Sequence, residues 1–263
     1  MSPRRPSSSQ PSSSRSSSNP KHGGSDGRSR RWADHKAERR QHILDAALVT
    51  LDELGPGVEI HVQDIADKAG MHRTVVYRHF TDRAELDQAV QEEICLRLAA
   101  AIEPAVRLEG TPLDIVRRIV TAYVSWTIAH PALMDYLERD APGASDTPLE
   151  RTLEDLARSV AALMGAFLDV LGHELDADDT AALDPWIFGL IGGVREGVRR
   201  WLQREVLAPG AEHFTEMVSQ SVWFQIRGFA DQRGIVFSSI PVEELVAQFA
   251  AIQNAPTTDG PLA

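Results

Sequence analysis

The stretch VQDIADKAGMHRTVVYRHFTDRAEL, residues 62–86, decides how the first half of the chain folds. A first helix is predicted by apolar residues at the spacing i, i+3, i+4 and i+7, which are Val62, Ile65, Ala66 and Ala69. Gly70 follows at once, where a glycine can adopt the positive φ that a tight turn between helices needs. A second helix is predicted from about His72 to Phe80, with Val76 and Phe80 facing inward and Met71 at its entry. Two short helices joined by a glycine turn are typical of a helix-turn-helix.

Longer helices are predicted on both sides of this pair. Before it, apolar residues recur at helical spacing from Lys36 to Leu54, and Gly55-Pro56-Gly57 ends that helix. After it, Thr81-Asp82 can cap a fourth helix, whose apolar positions run through Leu86, Ala89, Val90 and Ile94 to about residue 108. The sequence therefore predicts a three-helix DNA-binding domain at residues 32–90, with the fourth helix leading out of it.

Side chains that can bind DNA cluster on the second helix of the motif. Arg73 and Thr74 lie in its first turn, where side chains can reach base edges in the major groove. Tyr77, Arg78 and His79 follow about one turn later, and each can donate a hydrogen bond to a phosphate oxygen. For any one of these residues, a solvated polar face of a small helical subdomain is the alternative. The candidate DNA-binding residues are His72, Arg73, Thr74, Tyr77, Arg78, His79 and Arg83.

The same stretch resembles the DNA-binding domain of the TetR/AcrR family of transcriptional regulators. The resemblance runs from Arg39 to Val90 and depends on Ile65-Ala66, Gly70, Tyr77, Phe80 and a basic residue at 83, in that order. Four positions depart from the family pattern: His61 and His72 stand where Ser or Thr is common, Val75 where Thr or Ser is common, and Arg83 where Lys is usual. These departures mean that the operator sequence cannot be carried over from relatives.

Beyond residue 108 the pattern stays helical, and nothing in it indicates a strand. Helix starts are predicted at Thr111-Pro112, at Pro131 and at the capping box Thr147-Pro148-Leu149-Glu150, whose helix Gly172 would close. Further helices are predicted over 179–207, 212–232 and 242–252. We therefore expect an all-α protein, in which residues 109–254 form a bundle of helices and residues 255–263 a disordered tail.

The resemblance implies that this bundle dimerises through its late long helices and binds a small effector. The nearly all-apolar run at 185–194 favours burial on more than one face, as at a subunit interface, although a single central core helix is the alternative. Large apolar side chains predict a pocket for a small hydrophobic effector, with a fatty-acyl or lipid-like molecule as the candidate. The candidate ligand-binding residues are Tyr123, Trp126, Met134, Met164, Phe167 and Trp186.

Charge is distributed unevenly along the chain. The formal net charge is −11, but residues 1–31 hold seven basic side chains and one acid, which makes this segment +6 and the remainder −17. Any contact with DNA must therefore be confined to one end, since charges act within a Debye length of about 8–10 Å. With twelve serines and four prolines, residues 1–31 are predicted to be a disordered tail. It is either inert or a basic arm that adds contacts to DNA.

Several classes of protein are disfavoured by the composition. A single cysteine, Cys95, argues against a disulfide framework. Leu, Ile, Val and Phe are missing from Met1 to Arg31, which argues against a signal peptide. The sequence also has no stretch of about 20 apolar residues, the length that a membrane span needs. Phosphate loops, G-x-S-x-G and H-E-x-x-H are missing too, so no enzyme, cofactor or metal site is expected. The sequence predicts a cytoplasmic homodimer that leaves a palindromic DNA operator when the effector binds. Repression is the family's usual mode, and activation stays open.

Overall fold

The computed structural model describes residues 26–107, 109–139, 147–170, 173, 175–235, 241, 242 and 244 of the 263-residue chain. The chain divides into two compact units, residues 1–41 and 42–263. In the first unit the described part is the beginning of helix α1 (Asp26–Leu54), where Lys36 Nζ lies 5.9 Å from the centre of the Trp32 ring. Residues 26–31 are thus helical rather than disordered, because an existing helix extends without a new nucleation cost. Residues 1–25 lie outside the described residues.

In the second unit, the remainder of α1 is followed by the two short helices that the sequence predicts. Helix α2 (Val62–Lys68) and helix α3 (Arg73–Val76) precede the longer α4 (Arg83–Ile102), which ends in a 3₁₀ turn at Glu103–Ala105. Helix α3 is shorter than the predicted span of 72–80. Single turns continue the chain after it, with Arg78 N donating to Val75 O and His79 N to Val76 O. These i→i+3 bonds are the tighter hydrogen bonds often found at a helix end.

The remainder of the second unit is also helical in the part of the chain that is described. It comprises α5 (Pro112–Ala129), α6 (Pro131–Leu137), α7 (Pro148–Val170), α8 (Ala177–Leu202) and α9 (Ala211–Asp231). The predicted starts of α5, α6 and α7 are confirmed, and Thr147 Oγ1 accepts from Glu150 N at 3.1 Å as a capping box requires. Gly172 and most of the predicted helix over 242–252 lie outside the described residues.

One apolar core joins the helix-turn-helix to the first helices of the bundle. Ile43, Ile65, Val76 and Phe80 are buried in it together with residues of α5, α6 and the start of α7, which are Trp126, Leu133, Met134, Tyr136, Leu137 and Leu149. The boundary predicted between 90 and 109 is therefore not a break in the packing, and from residue 42 onward both predicted domains lie within one compact unit. The sequence could not show this, because helical periodicity identifies a buried face but not the helix that covers it.

Helices α8 and α9 run antiparallel and meet through two aromatic pairs. Trp201 of α8 stacks on Phe214 of α9 with ring centres 4.6 Å apart, and Trp186 stacks on Phe229 at 4.7 Å. Beyond α9, Arg233 forms an ion pair with Asp179 in the first turn of α8. A second apolar cluster, centred on Val120, Val124, Val198 and Trp201, joins this pair of helices to α5.

Candidate nucleic-acid interface and apolar cavity

The turn between α2 and α3 is set by Gly70. Its φ is +65°, and the flanking bonds run from Gly70 N to Asp67 O and from Met71 N to Ala66 O, at 3.1 and 2.9 Å. This pair of bonds is the Schellman motif, in which glycine is favoured because it has no Cβ to strain at positive φ. The predicted glycine turn is confirmed, and it sets the angle at which α3 leaves α2.

Helix α3 buries one side and exposes the other. Val76 is fully buried and Phe80, just after the helix, is 1% exposed, whereas His72, Arg73 and Thr74 are exposed. The apolar side chains hold α3 against α1, α2 and α4, so the polar side chains of its first turn project from a fixed support. A short helix fixed in this way can enter the major groove with base-reading side chains already in place.

Arg73 and Tyr77 occupy the same side of α3, one turn apart. The Arg73 Nη2 donates to Tyr77 Oη at 3.3 Å, and the guanidinium carbon lies 5.5 Å from the centre of the tyrosine ring. Within the described part of the chain no carboxylate pairs with Arg73 or Arg78. Two exposed cations without acidic partners are therefore available to DNA.

Three of the seven candidate residues are less accessible than the others. Tyr77, His79 and Arg83 are half-buried, and Nδ1 of His79 is buried. Arg83 is the first residue of α4, whose N-cap Asp82 accepts from Glu85 N at 2.8 Å. Its Nε donates to both oxygens of Asp87 at 2.8 Å. Asp87 is not among the residues predicted from the sequence, although its i, i+4 spacing from Arg83 is the usual signal for a pair on a helix.

The two histidines at helix starts do not cap as Ser or Thr would. At the start of α2 the backbone N–H of His61 donates to Asp64 Oδ2 at 2.8 Å, which satisfies one group of the helix end. His72 precedes α3 without a capping hydrogen bond from its side chain. Both imidazoles are exposed, so they lie where a DNA phosphate could accept from them.

An apolar cavity of about 170 Å³ lies in the bundle, partly open to solvent. The start of α5, the second half of α7, the second half of α9 and two residues beyond α9 enclose it. Among the described residues that line it, none carries a charged side chain. The lining residues are Pro112, Ile115, Val116, Val160, Leu163, Met164, Leu168, Trp223, Ile226, Phe229, Ala230, Ile235 and Val242.

The structure does not bring the six candidate ligand-binding residues together at this cavity. Met164 lines it, and Trp186 stacks on the lining residue Phe229. Trp126 and Met134 are instead buried in the core shared with the helix-turn-helix, and Tyr123 packs on the second apolar cluster. The side chain of Phe167 lies outside the described part of the structure. The stripe Trp223, Ile226, Phe229 and Ala230 on α9 was missed, although its helical spacing marks one apolar face.

A polar cluster lies apart from the cavity, where α6 ends against α8. Glu138 Oε1 is 3.9 Å from Arg195 Nη1, and Glu138 Oε2 is 4.0 Å from Arg199 Nε. Burial raises the pKa of Glu138, and the two arginines oppose that rise. Burial also raises the pKa of Tyr123, so its phenol stays protonated.

Known proteins with similar sequence and fold include helix-turn-helix transcriptional regulators. The HTH-type transcriptional regulator Rv0472c of Mycobacterium tuberculosis is 23% identical over 214 residues, which cover 80% of this chain and 86% of the relative. AcrR of Shigella flexneri is 29% identical over 100 residues, covering 38% of this chain and 46% of the relative. A TetR-family regulator from Streptomyces coelicolor shares the fold with a TM-score of 0.57 at 22% identity, over 86% of this chain and 92% of that one.

In sequence and fold the chain is therefore similar to helix-turn-helix regulators of the TetR/AcrR type. Its all-α fold with an N-terminal helix-turn-helix is the one that the sequence predicts. No family profile matches the chain. Over the described residues, no helix has the length and apolar character needed to cross a membrane, and no group of His, Cys, Asp and Glu is arranged to hold a metal ion.

Proposed function

We propose that this chain is a homodimeric repressor of the TetR type that binds a palindromic DNA site and leaves it when a small apolar effector binds. The observation that carries the proposal is the first turn of α3, where Arg73 and Thr74 are exposed above a buried Val76. In this reading Arg73 and Thr74 contact base edges, and Tyr77, His79 and Arg83 hold phosphates. His72 and Arg78, exposed at the two ends of the same segment, add further contacts.

An exposed apolar surface on α8 and α9 supports the dimer. Phe188, Met217 and Phe224 are 38%, 52% and 63% exposed, which is unusual for side chains of this size in a monomer. Gly189, Gly192, Gly193 and Gly197 leave open space along α8, so that a second helix can approach closely. A two-fold dimer would present two copies of α3 to half-sites one helical turn of DNA apart.

The cavity supports a compact and uncharged effector. A cavity of about 150 Å³ lined by apolar side chains can hold benzene, and the cavity between α5, α7 and α9 is about 170 Å³. It can therefore take one ring or a short branched chain, whereas a long acyl chain would project into solvent. Of the hydrophobic effectors that the sequence suggests, the compact ones fit this site better than a lipid.

Release from DNA follows from a shift between two conformers. An effector that binds one conformer better than the other moves the population toward it. If the favoured conformer holds the two copies of α3 at a spacing that DNA does not match, repression ends. A few kcal/mol of differential affinity is sufficient for this change.

Selection from fragments of the source genome tests the DNA-binding part of the proposal. Wild type, Arg73→Ala/Tyr77→Ala and the control Arg158→Ala would be compared at about 150 mM salt with excess competitor DNA. Arg158 lies on α7 and pairs with Asp155, away from α3. Wild type and Arg158→Ala should retain the same short palindrome, and the double variant should retain none. Equal retention by all three proteins would contradict the assignment.

Thermal unfolding with toluene and with palmitate tests the effector site. Toluene should raise the unfolding midpoint of wild type, because a ligand that binds only the folded state stabilises it. Ile226→Trp fills the cavity and should abolish that rise, while Leu96→Trp, at an exposed position on α4, should preserve it. A rise that survives Ile226→Trp, or one seen with palmitate alone, would contradict the proposed site.

A further inference from the structure

In the described part of the chain, helix α6 and its flanking residues make five polar contacts with the helices and loop of the DNA-binding half. One contact reaches the end of α1, two reach the loop after it, and two reach α4. The contacts are His130 Nδ1 with Asp52 Oδ2 at 3.0 Å, Gly57 N donating to Asp135 Oδ2 at 2.9 Å, Arg139 Nη2 donating to Val58 O at 2.9 Å, Gln91 Nε2 donating to Tyr136 O at 3.5 Å, and Tyr136 Oη donating to Asp87 Oδ1 at 2.5 Å. The contact with Asp87 differs from the others because Asp87 also holds a candidate phosphate ligand.

Asp87 is the point where a helix of the bundle meets the DNA-binding face. Its two oxygens accept from Nε of Arg83, and Oδ1 also accepts from the hydroxyl of Tyr136. Tyr136 is only 6% exposed, and burial, together with the bond to Asp87, raises the pKa of its phenol. The hydroxyl therefore remains a donor at every physiological pH, and the position of the carboxylate is fixed from both sides.

This arrangement constrains Arg83 without using all its donors. A guanidinium has five N–H donors, and the bonds to Asp87 use only the one on Nε, while the Tyr136 side chain also interacts directly with the guanidinium. Arg83 is half-buried at the first turn of α4, where the positive end of the helix dipole also favours an anion. Held in this way, the terminal nitrogens can meet a phosphate without first losing the rotamer freedom of a long side chain.

We propose that Tyr136 is a positioning residue for DNA binding, because through Asp87, and by its own contact with the side chain, it fixes the Arg83 guanidinium in the orientation that meets a phosphate. The proposal rests on the proposed function, since it requires a DNA phosphate at Arg83. It assigns to α6 a direct effect on the strength of a DNA contact, in addition to its apolar packing. Tyr136 itself touches no DNA in this scheme.

Loss of the tyrosine hydroxyl should weaken DNA binding by a limited factor. Ordering one long side chain at an interface corresponds to roughly three- to tenfold in affinity, so Tyr136→Phe should lose about that much. A weakened phosphate contact also lowers the dependence of affinity on salt. A plot of log K against log salt concentration should become less steep and approach the slope measured for Arg83→Gln. Loss of one phosphate contact lowers the steepness of that plot by about 0.9 per subunit.

The decisive experiment is a double-mutant cycle measured on duplex DNA long enough for two half-sites. Wild type, Tyr136→Phe, Arg83→Gln and the double variant would be titrated by fluorescence anisotropy at several salt concentrations. If Tyr136 acts through Arg83, the double variant binds no more weakly than Arg83→Gln alone. Asp87→Asn should reproduce the loss seen with Tyr136→Phe, which provides a second route if the phenylalanine variant folds poorly.

Controls separate the positioning role from a general loss of stability. Thr127→Val removes another buried hydroxyl, which bonds only within α5 to Val124 O, and should leave both affinity and slope unchanged. Independent, additive losses from Tyr136→Phe and Arg83→Gln, or a Tyr136→Phe protein with wild-type affinity and slope, would overturn the positioning role. If wild type binds no duplex at all, the proposed function fails together with the positioning role. If wild type binds and only Arg73→Ala/Tyr77→Ala abolishes the binding, the proposed function stands and the positioning role alone fails.

Discussion

Replacement of Gly70 by alanine should destabilise the protein, while the same replacement at Gly165 should stabilise it. Gly70 lies at φ +65°, in the left-handed region, and a Cβ built there meets no atom within 4 Å. The cost is therefore conformational rather than steric, about 1–2 kcal/mol. Gly165 lies within α7 and also has open space around a built Cβ. There alanine should gain up to about 1 kcal/mol, because helix formation restricts glycine more than alanine.

Urea unfolding followed by circular dichroism measures both effects. All proteins must be compared at one concentration, since the stability of a dimer depends on the concentration of its subunits. Gly70→Asn provides a graded test, because asparagine tolerates the left-handed region better than alanine and should lose less. A Gly70→Ala protein as stable as wild type would refute the reasoning, since the conformation at the α2–α3 turn would then not require glycine. Losses at both Gly70 and Gly165 would point to packing rather than to backbone conformation.

Three further outcomes are expected. Arg73→Lys keeps the charge but loses the bidentate fork, so discrimination between wild-type and single-base-altered operators should fall by about 1–3 kcal/mol in competition binding, with Arg158→Lys unaffected. Phe224→Glu places a charge on the exposed apolar face of α9 and should raise the dimer dissociation constant by roughly thirtyfold or more in sedimentation, whereas Leu96→Glu on α4 should not. Because burial raises the pKa of Glu138 above its unfolded value, the protonated form stabilises the fold, and that contribution is lost as pH rises through the folded pKa. The stability of Glu138→Gln relative to wild type should therefore increase from pH 4 toward pH 7 in parallel urea titrations, and a pH-independent difference would argue against the raised pKa.

The parts of the fold that local chemistry determines were predictable from the sequence. Thr111 and Thr147 begin helices because each side chain accepts from the backbone three residues later, and that bond depends only on nearby residues. The turn at Gly70 is local in the same way. The length of α3 was overestimated, because apolar spacing at Val76 and Phe80 fits a series of single turns as well as it fits a regular helix.

The parts that depend on distant contacts were not predictable. Tyr136 and Asp87 are 49 positions apart and meet only because α6 packs on α4. The candidate ligand residues show the same limit. Trp126 and Trp186 are both large and apolar, yet one is buried in the core of the helix-turn-helix and the other stacks on α9. Residue type predicts that such a side chain will be buried, but the neighbour that covers it is a property of the tertiary structure.

The net charge of −11 bears on how this protein would find its site. From His72 to Phe80 the chain carries two arginines and no acid, so the segment proposed to read bases has a positive formal charge although the whole chain is acidic. Charges beyond a Debye length of about 8 Å are largely screened at physiological salt, so the remaining acids oppose DNA only weakly at contact. They also provide none of the broad attraction that holds basic proteins to any duplex. A regulator built in this way depends on a few well-positioned cations, and that is why the orientation of a single guanidinium, Arg83, can matter to its affinity.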